Sequence, residues 1–227
     1  MKKLFIVGCL LVSTLGAFSQ KSNEWRVRVR GLAIAPQESA DISVIGGDID
    51  ISTAYIPELD FTYFFSKHIA AELILGTSKH TVRAKGADLS AIGGPSGADV
   101  DLGKVWLLPP TLTLQYHLPM ACGLKPYIGA GVNYTIFYNK SAGPVVKDIS
   151  YENKFGFATQ LGLDYDISKK LYLNLDIKKI FLSTDATVDA SNLTPSGHPE
   201  LNPVLGSIGA NTKINPWVIG LGIGYKL

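Results

Sequence analysis

Asn215-Pro-Trp-Val-Ile-Gly-Leu-Gly-Ile-Gly-Tyr-Lys-Leu227, the C-terminal stretch, decides the fold class. Every second residue, Trp217, Ile219, Leu221, Ile223, Tyr225 and Leu227, is apolar or aromatic. Between them stand Val218, Gly220, Gly222, Gly224 and Lys226. Side chains alternate faces along a strand, so one face is a greasy ribbon and the other is nearly bare. A tryptophan and a tyrosine bracket the ribbon, as in a strand that crosses a bilayer with aromatics at both water interfaces. A chain that ends on such a strand is expected to close a barrel with it. The soluble alternative, the last strand of a sandwich or lipocalin, must bury the same rings in a core.

The same alternation recurs upstream. The first strand, near 24–36, sets Trp25, Val27 and Val29 against Arg26, Arg28, Arg30, Leu32 and Ile34. The second, near 48–65, places Ile49, Ile51, Tyr55, Leu59, Phe61, Tyr63 and Phe65 outward, and Ile56, Glu58 and Asp60 inward. The third begins at Ile69, with Glu72, Ile74, Gly76 and His80 inward. Further strands are expected near 104–118, 126–138, 155–165 and 171–181, before the closing one. Short turns (Ser66-Lys67-His68, Pro119 to Leu124, Asp166 to Lys170) alternate with long loops near 84–103, 139–150 and 186–212. The prediction is an all-β fold: an eight-stranded antiparallel up-and-down transmembrane β-barrel of the outer-membrane type. An even strand count leaves no exposed edge and puts both termini on one side, expected to be the periplasm. Aromatics fall into two girdles: Trp25, Tyr63, Phe65, Tyr116, Tyr165 and Tyr225 near the termini, and Tyr55, Trp106, Tyr138, Phe155, Phe181 and Trp217 at the far end.

Residues 1–19 read as a secretory signal: Lys2 and Lys3, the apolar run Leu4 to Val12, and a small-x-small site at Ala17-Phe18-Ser19. Residues 20–227 then form the barrel. Loss of the signal removes two of the 21 basic residues, leaving 19 against 19 acidic ones, a neutral balance that argues against a nucleic-acid surface. It also leaves Cys122 alone, so no intrachain disulfide is expected.

The inward face divides by height. Far from the termini it carries Leu32, Ile34, Ile56, Val82, Val105, Leu107, Phe137, Ile180 and Leu182, an expected apolar ligand path. Near the termini it carries Arg26, Arg28, Arg30, Glu58, Asp60, Glu72, Asp164, Asp176 and Lys178, an expected ion-pair plug. Eight strands enclose a space that side chains can nearly fill, and opposite charges there should pair. Gly220, Gly222 and Gly224 should leave room beside the three arginines. A greasy solute that enters such a funnel cannot continue straight down. Pro57, Pro109 and Pro110 lack backbone donors and weaken the ladder beside them, which marks them as an expected lateral opening. The alternative is that they mark an irregular strand end.

The stretches ELDFTYFFSKHIAAELILGTSKH (58–80), LPPTLTLQYHL (108–118), KPYIGAGVNYTIFY (125–138), FGFATQLGLDYDIS (155–168) and YLNLDIKKIFLSTDA (172–186) resemble the OmpW family, which includes the AlkL-type alkane-uptake barrels. The segment 187–212 looks enlarged relative to that family, and Leu227 replaces the common terminal phenylalanine. The resemblance implies a narrow, rather hydrophobic lumen and uptake of small hydrophobic compounds across the outer membrane. The runner-up is a non-transporting barrel that serves envelope integrity or surface interaction through its loops. An enzyme is the weakest reading. His68, His80, His117 and His198 have no serine beside them in a nucleophile motif, and no metal-ligand cluster or phosphate loop is present, so neither cofactor nor metal is expected. Expected partners are membrane lipids, small hydrophobic solutes and, through the C-terminal strand, the outer-membrane assembly machinery.

Overall fold

The computed structural model describes residues 21–118, 123–194 and 201–227. The expected signal at 1–19, along with Cys122 and His198, lies outside the described residues. Eight strands form the ring: β1 (Lys21–Ala35), β4 (Ala54–Ser66), β5 (Ile69–Leu75), β8 (Thr111–His117), β9 (Leu124–Ala142), β11 (Lys154–Asp166), β12 (Leu171–Phe181) and β15 (Trp217–Lys226). Each pairs antiparallel with its neighbour, β15 with β1 on one side and β9 with β11 on the other, so the ring closes without an edge. Closure matters in a bilayer, where an unpaired backbone group finds no water.

The alternation read from the sequence is realised here. Arg26, Arg28, Arg30 and Leu32 are buried, while Val29 is 59% exposed on the outer wall. Trp25, Phe65, Tyr116, Tyr165 and Tyr225 lie exposed at the end with the termini, and Tyr55, Tyr138, Phe155, Phe181 and Trp217 at the other. The girdle rings touch across strands, Trp25 to Tyr63 at 4.9 Å and Trp106 to Tyr138 at 6.2 Å between centroids.

The connections expected as long loops are largely strands. Beyond the far girdle the barrel continues as a cap of two sheets. One joins β3 (Asp48–Ile51), β6 (Ser78–Ala87) and β7 (Ala98–Leu108) to the upper part of β9. The other is β10 (Asp148–Tyr151), β13 (Ser183–Asp189), β14 (Ile208–Lys213) and β2 (Ser39–Ile42). The expected second strand is therefore two. Pairing breaks at Ser52–Thr53, and the side-chain phase flips there. Ile49, expected outward, is buried at 7% inside the cap, and Ile51 lines the lumen. Similar breaks at Gly76–Thr77 and Pro109–Pro110 divide β5 from β6 and β7 from β8.

Strand β15 closes the ring because its inward glycines let inner-wall groups come close. A Cβ on Gly222 would stand 2.1 Å from the Val29 carbonyl oxygen and 2.7 Å from Arg30 Cα. The Tyr172 ring occupies the space a Cβ on Gly224 would take, and Tyr127 covers Gly162 in the same way. Gly222→Ala is expected to destabilise the barrel by about 1–3 kcal/mol, the usual cost of overfilling a packed site. Urea unfolding in detergent, followed by the heat-modifiable band on a gel, measures the shift. An unchanged midpoint would mean that β15 and β1 separate without cost.

Candidate functional site: the lumen

Strand β1 delivers three arginines to the lumen at alternate positions, and register decides what each meets. Arg28 stands opposite Asp60, and Arg30 opposite Glu58. Arg28 Nε donates to Asp60 Oδ1 at 2.7 Å, and its Nη2 donates to Glu72 and, at 3.1 Å, to Thr62. Arg30 Nη2 lies 2.6 Å from Glu58, 3.0 Å from Asp60 and 3.2 Å from Glu72. Arg26 Nη1 reaches Asp164 at 3.4 Å, and its guanidinium lies 3.9 Å from the Phe64 ring centroid. Lys178 Nζ donates to Asp176, which also lies 3.6 Å from Arg30. All nine charged residues expected inside meet in one cluster, and each is at most 6% exposed.

The cluster holds four cations and five carboxylates, so neutral donors are needed as well. Gln160 Nε2 donates to both Glu72 and Asp176 at 2.7 Å, Tyr127 Oη donates to Asp176 at 2.7 Å, and Asn174 Nδ2 donates to Asp164 at 2.7 Å. Buried carboxylates are tolerable when their lone pairs are satisfied in this way.

Directly above the cluster the lumen turns apolar and leaves an internal cavity of about 80 Å³. Leu32, Ile34, Ile56, Val82, Val105, Leu107, Phe137, Ile180 and Leu182 all line it, joined by Ile74, Ile214 and Val218. Glu58 and Lys178 border it on the cluster side.

The wall beside this cavity is incomplete. The β4–β5 ladder stops at Leu59↔Leu75, and pairing across that seam resumes only at Ile51↔Val82 of β3 and β6. On the other side, β5–β8 pairing ends at Ile74↔Thr111 and β6–β7 pairing resumes at Ser78↔Leu107. Among the described residues, Gly76 and Thr77 thus lack a ladder partner on both sides. In register, Pro57 flanks this lapse on β4, while Pro109 and Pro110 flank it between β7 and β8. The three prolines, far apart in sequence, border one weak place, and Gly76 and Pro109 both line the cavity.

The OmpW family profile matches residues 21–227. The chain belongs to the OmpW family. An uncharacterised outer-membrane protein of Sinorhizobium fredii is 43% identical over 203 residues, spanning 89% of this chain and 79% of that protein. Outer membrane protein AlkL of Ectopseudomonas oleovorans is 31% identical over 180 residues, spanning 77% of this chain and 75% of that protein. The crystal structure of OprG from Pseudomonas aeruginosa superposes with a TM-score of 0.76 at 25% identity, covering 91% of this chain and 97% of that one.

Sequence reasoning missed several members of this OmpW-family lumen. Gln160, Asn174, Thr113 and Gln115 are buried in the hydrogen-bond network, and Tyr127 and Tyr172 lie on the inner wall. Each occupies an inward position in the alternation, so an inward neutral amide at cluster height was the available signal. His117 stacks on Tyr127 at 4.7 Å with Nε2 3.0 Å from Gln115, while His80 Nε2 lies 3.0 Å from Ser78 Oγ higher in the lumen.

Proposed function

We propose that this barrel admits small apolar molecules passively across the outer membrane. The long-connection end faces outward and both termini face the periplasm. A solute enters through the cap, occupies the apolar cavity and meets the ion cluster, which blocks the axial path as a plug. It then leaves sideways into the membrane through the wall lapse at Gly76–Thr77, between Pro57 and the Pro109–Pro110 pair. Membrane lipids receive it, and the C-terminal strand serves the assembly machinery. The observation that carries this reading is a predominantly apolar cavity, with a minority of hydroxyl groups and His80 in its wall, seated directly on an ion-paired floor. Water or ions would gain little from walls that are mostly hydrocarbon, whereas each buried methylene of a solute gains about 0.8 kcal/mol.

The test is uptake of n-octane by cells with and without the barrel. Val105→Trp fills the cavity from β7 without touching the ion cluster and is expected to bring uptake down to that of cells lacking the protein. Native uptake no faster than that baseline, with a folded barrel on the gel, would remove the proposal.

A further inference from the structure

The cap encloses a second apolar space of about 600 Å³ above the first. Part of its wall comes from residues 187–212, through Val188, Leu193, Leu205 and Ile208. Three residues line both chambers: Ile49, Val82 and Tyr151. They form the partition between a wide outer space and a narrow inner one.

Tyr151 differs from the other two. Ile49 and Val82 belong to adjacent paired strands of one cap sheet, with registers fixed by the β3–β6 ladder. Tyr151 ends β10, in the other sheet. The β9–β11 ladder stops at Lys154↔Thr135, and among the described residues no pairing joins β9 to β10. A seam therefore separates the two sheets here, and the Tyr151 ring crosses it. It stacks on Phe137 of β9 with centroids 5.3 Å apart and planes 17° from parallel.

The backbone at the root of this ring is held firmly. Tyr151 pairs with Ala186, Glu152 N donates to the Asp185 carbonyl at 3.0 Å, and Thr184 Oγ1 donates to the Glu152 carbonyl at 2.7 Å. Across the seam, Phe137 N donates to Asn153 Oδ1 at 2.9 Å. The ring is thus anchored at its base, packs against the apolar cluster of the cap and stacks on Phe137, with no side-chain hydrogen bond among the described residues. Burial pushes the phenol pKa up, so the ring stays neutral at physiological pH.

We infer that Tyr151, closed against Phe137 across this seam, gates passage from the outer chamber to the inner one and sets the width of apolar solute that passes. The inference rests on the uptake proposed above. An unbranched hydrocarbon slips past a ring that yields by a small rotation, whereas a cage-shaped one requires the ring to leave its stack.

The experiment compares uptake of n-octane and adamantane by cells carrying native, Tyr151→Ala, Tyr151→Phe or Tyr151→Trp barrels, each confirmed as folded by heat modifiability. Native barrels are expected to favour octane. Tyr151→Ala should raise adamantane uptake several-fold and narrow that preference. Tyr151→Phe should keep the native ratio, because the width lies in the ring. Tyr151→Trp should slow both solutes. A native ratio retained in Tyr151→Ala overturns the gate while leaving the uptake reading standing. Native barrels that take up neither solute above the protein-free level overturn the uptake reading and the gate with it.

Discussion

Arg28→Met is expected to cost the barrel about 3–5 kcal/mol, the penalty for removing one partner of a buried ion pair. Arg28 is 1% exposed and supplies hydrogen bonds to Asp60, Glu72, Thr62 and Tyr127. Without it, Arg30 is, among the described residues, the only cation left within 4 Å of Glu72 or Asp60, and it already serves Glu58 and Asp176. Two buried carboxylates would share one overcommitted guanidinium. The measurement is urea unfolding in lipid or detergent, read by the heat-modifiable band. Arg28→Lys should fall between, because an ammonium keeps the charge and loses the fork that reaches two acids at once. Adding Asp60→Asn and Glu72→Gln to Arg28→Met should recover much of the loss, since the penalty lies in the orphaned charges. If Arg28→Met unfolds at the native urea concentration, the cluster contributes nothing to holding the ring together.

That cluster shows what a sequence of this kind makes legible. Period-two alternation puts Arg26, Arg28 and Arg30 on one face and leaves Val27 and Val29 for lipid, and the structure keeps every one of those assignments. A register slip by one residue would turn the arginines into the bilayer, so the pattern has a single tolerable solution. The same logic failed at Ile49 and Ile51. Two residues outside the strands, Ser52 and Thr53, reset the phase there, and no local feature of Asp-Ile-Ser-Thr-Ala announces the reset. The cap strands were hidden for a different reason. Segments such as 84–103 and 186–212 are rich in glycine, proline and small polar residues, and their pairing depends on partners distant in sequence. Strand β14, for example, finds β13 on one side and β2, far upstream, on the other. The lapse in the wall lay between these extremes. Its prolines were visible one at a time, but their convergence on Gly76–Thr77 is a property of cross-strand register.

That convergence supports the second large effect. Replacing Pro57, Pro109 and Pro110 together with valine, threonine and valine is expected to raise stability and to slow octane uptake several-fold. Each substitution returns an N–H to a strand that borders the lapse. Where the donor finds a carbonyl across the seam, the new bond contributes about 0.5–1.5 kcal/mol net. Gly76 stays in place, and Pro109→Thr, at a position that lines the cavity, exchanges side chains of similar size. The triple variant therefore changes chiefly the wall, with Pro109→Thr the substitution that also faces the chamber. Gain of stability with loss of uptake is the signature that separates a sealed exit from a damaged barrel, since a misfolded ring would lose both. Loss of both would show that the prolines support the backbone within β4 and at the start of β8. Higher stability with undiminished uptake would mean that the solute leaves elsewhere, and the lateral route at Gly76–Thr77 would be wrong. The sign of the stability change, read on the same gel as the folding control, decides between these outcomes before any transport rate is compared.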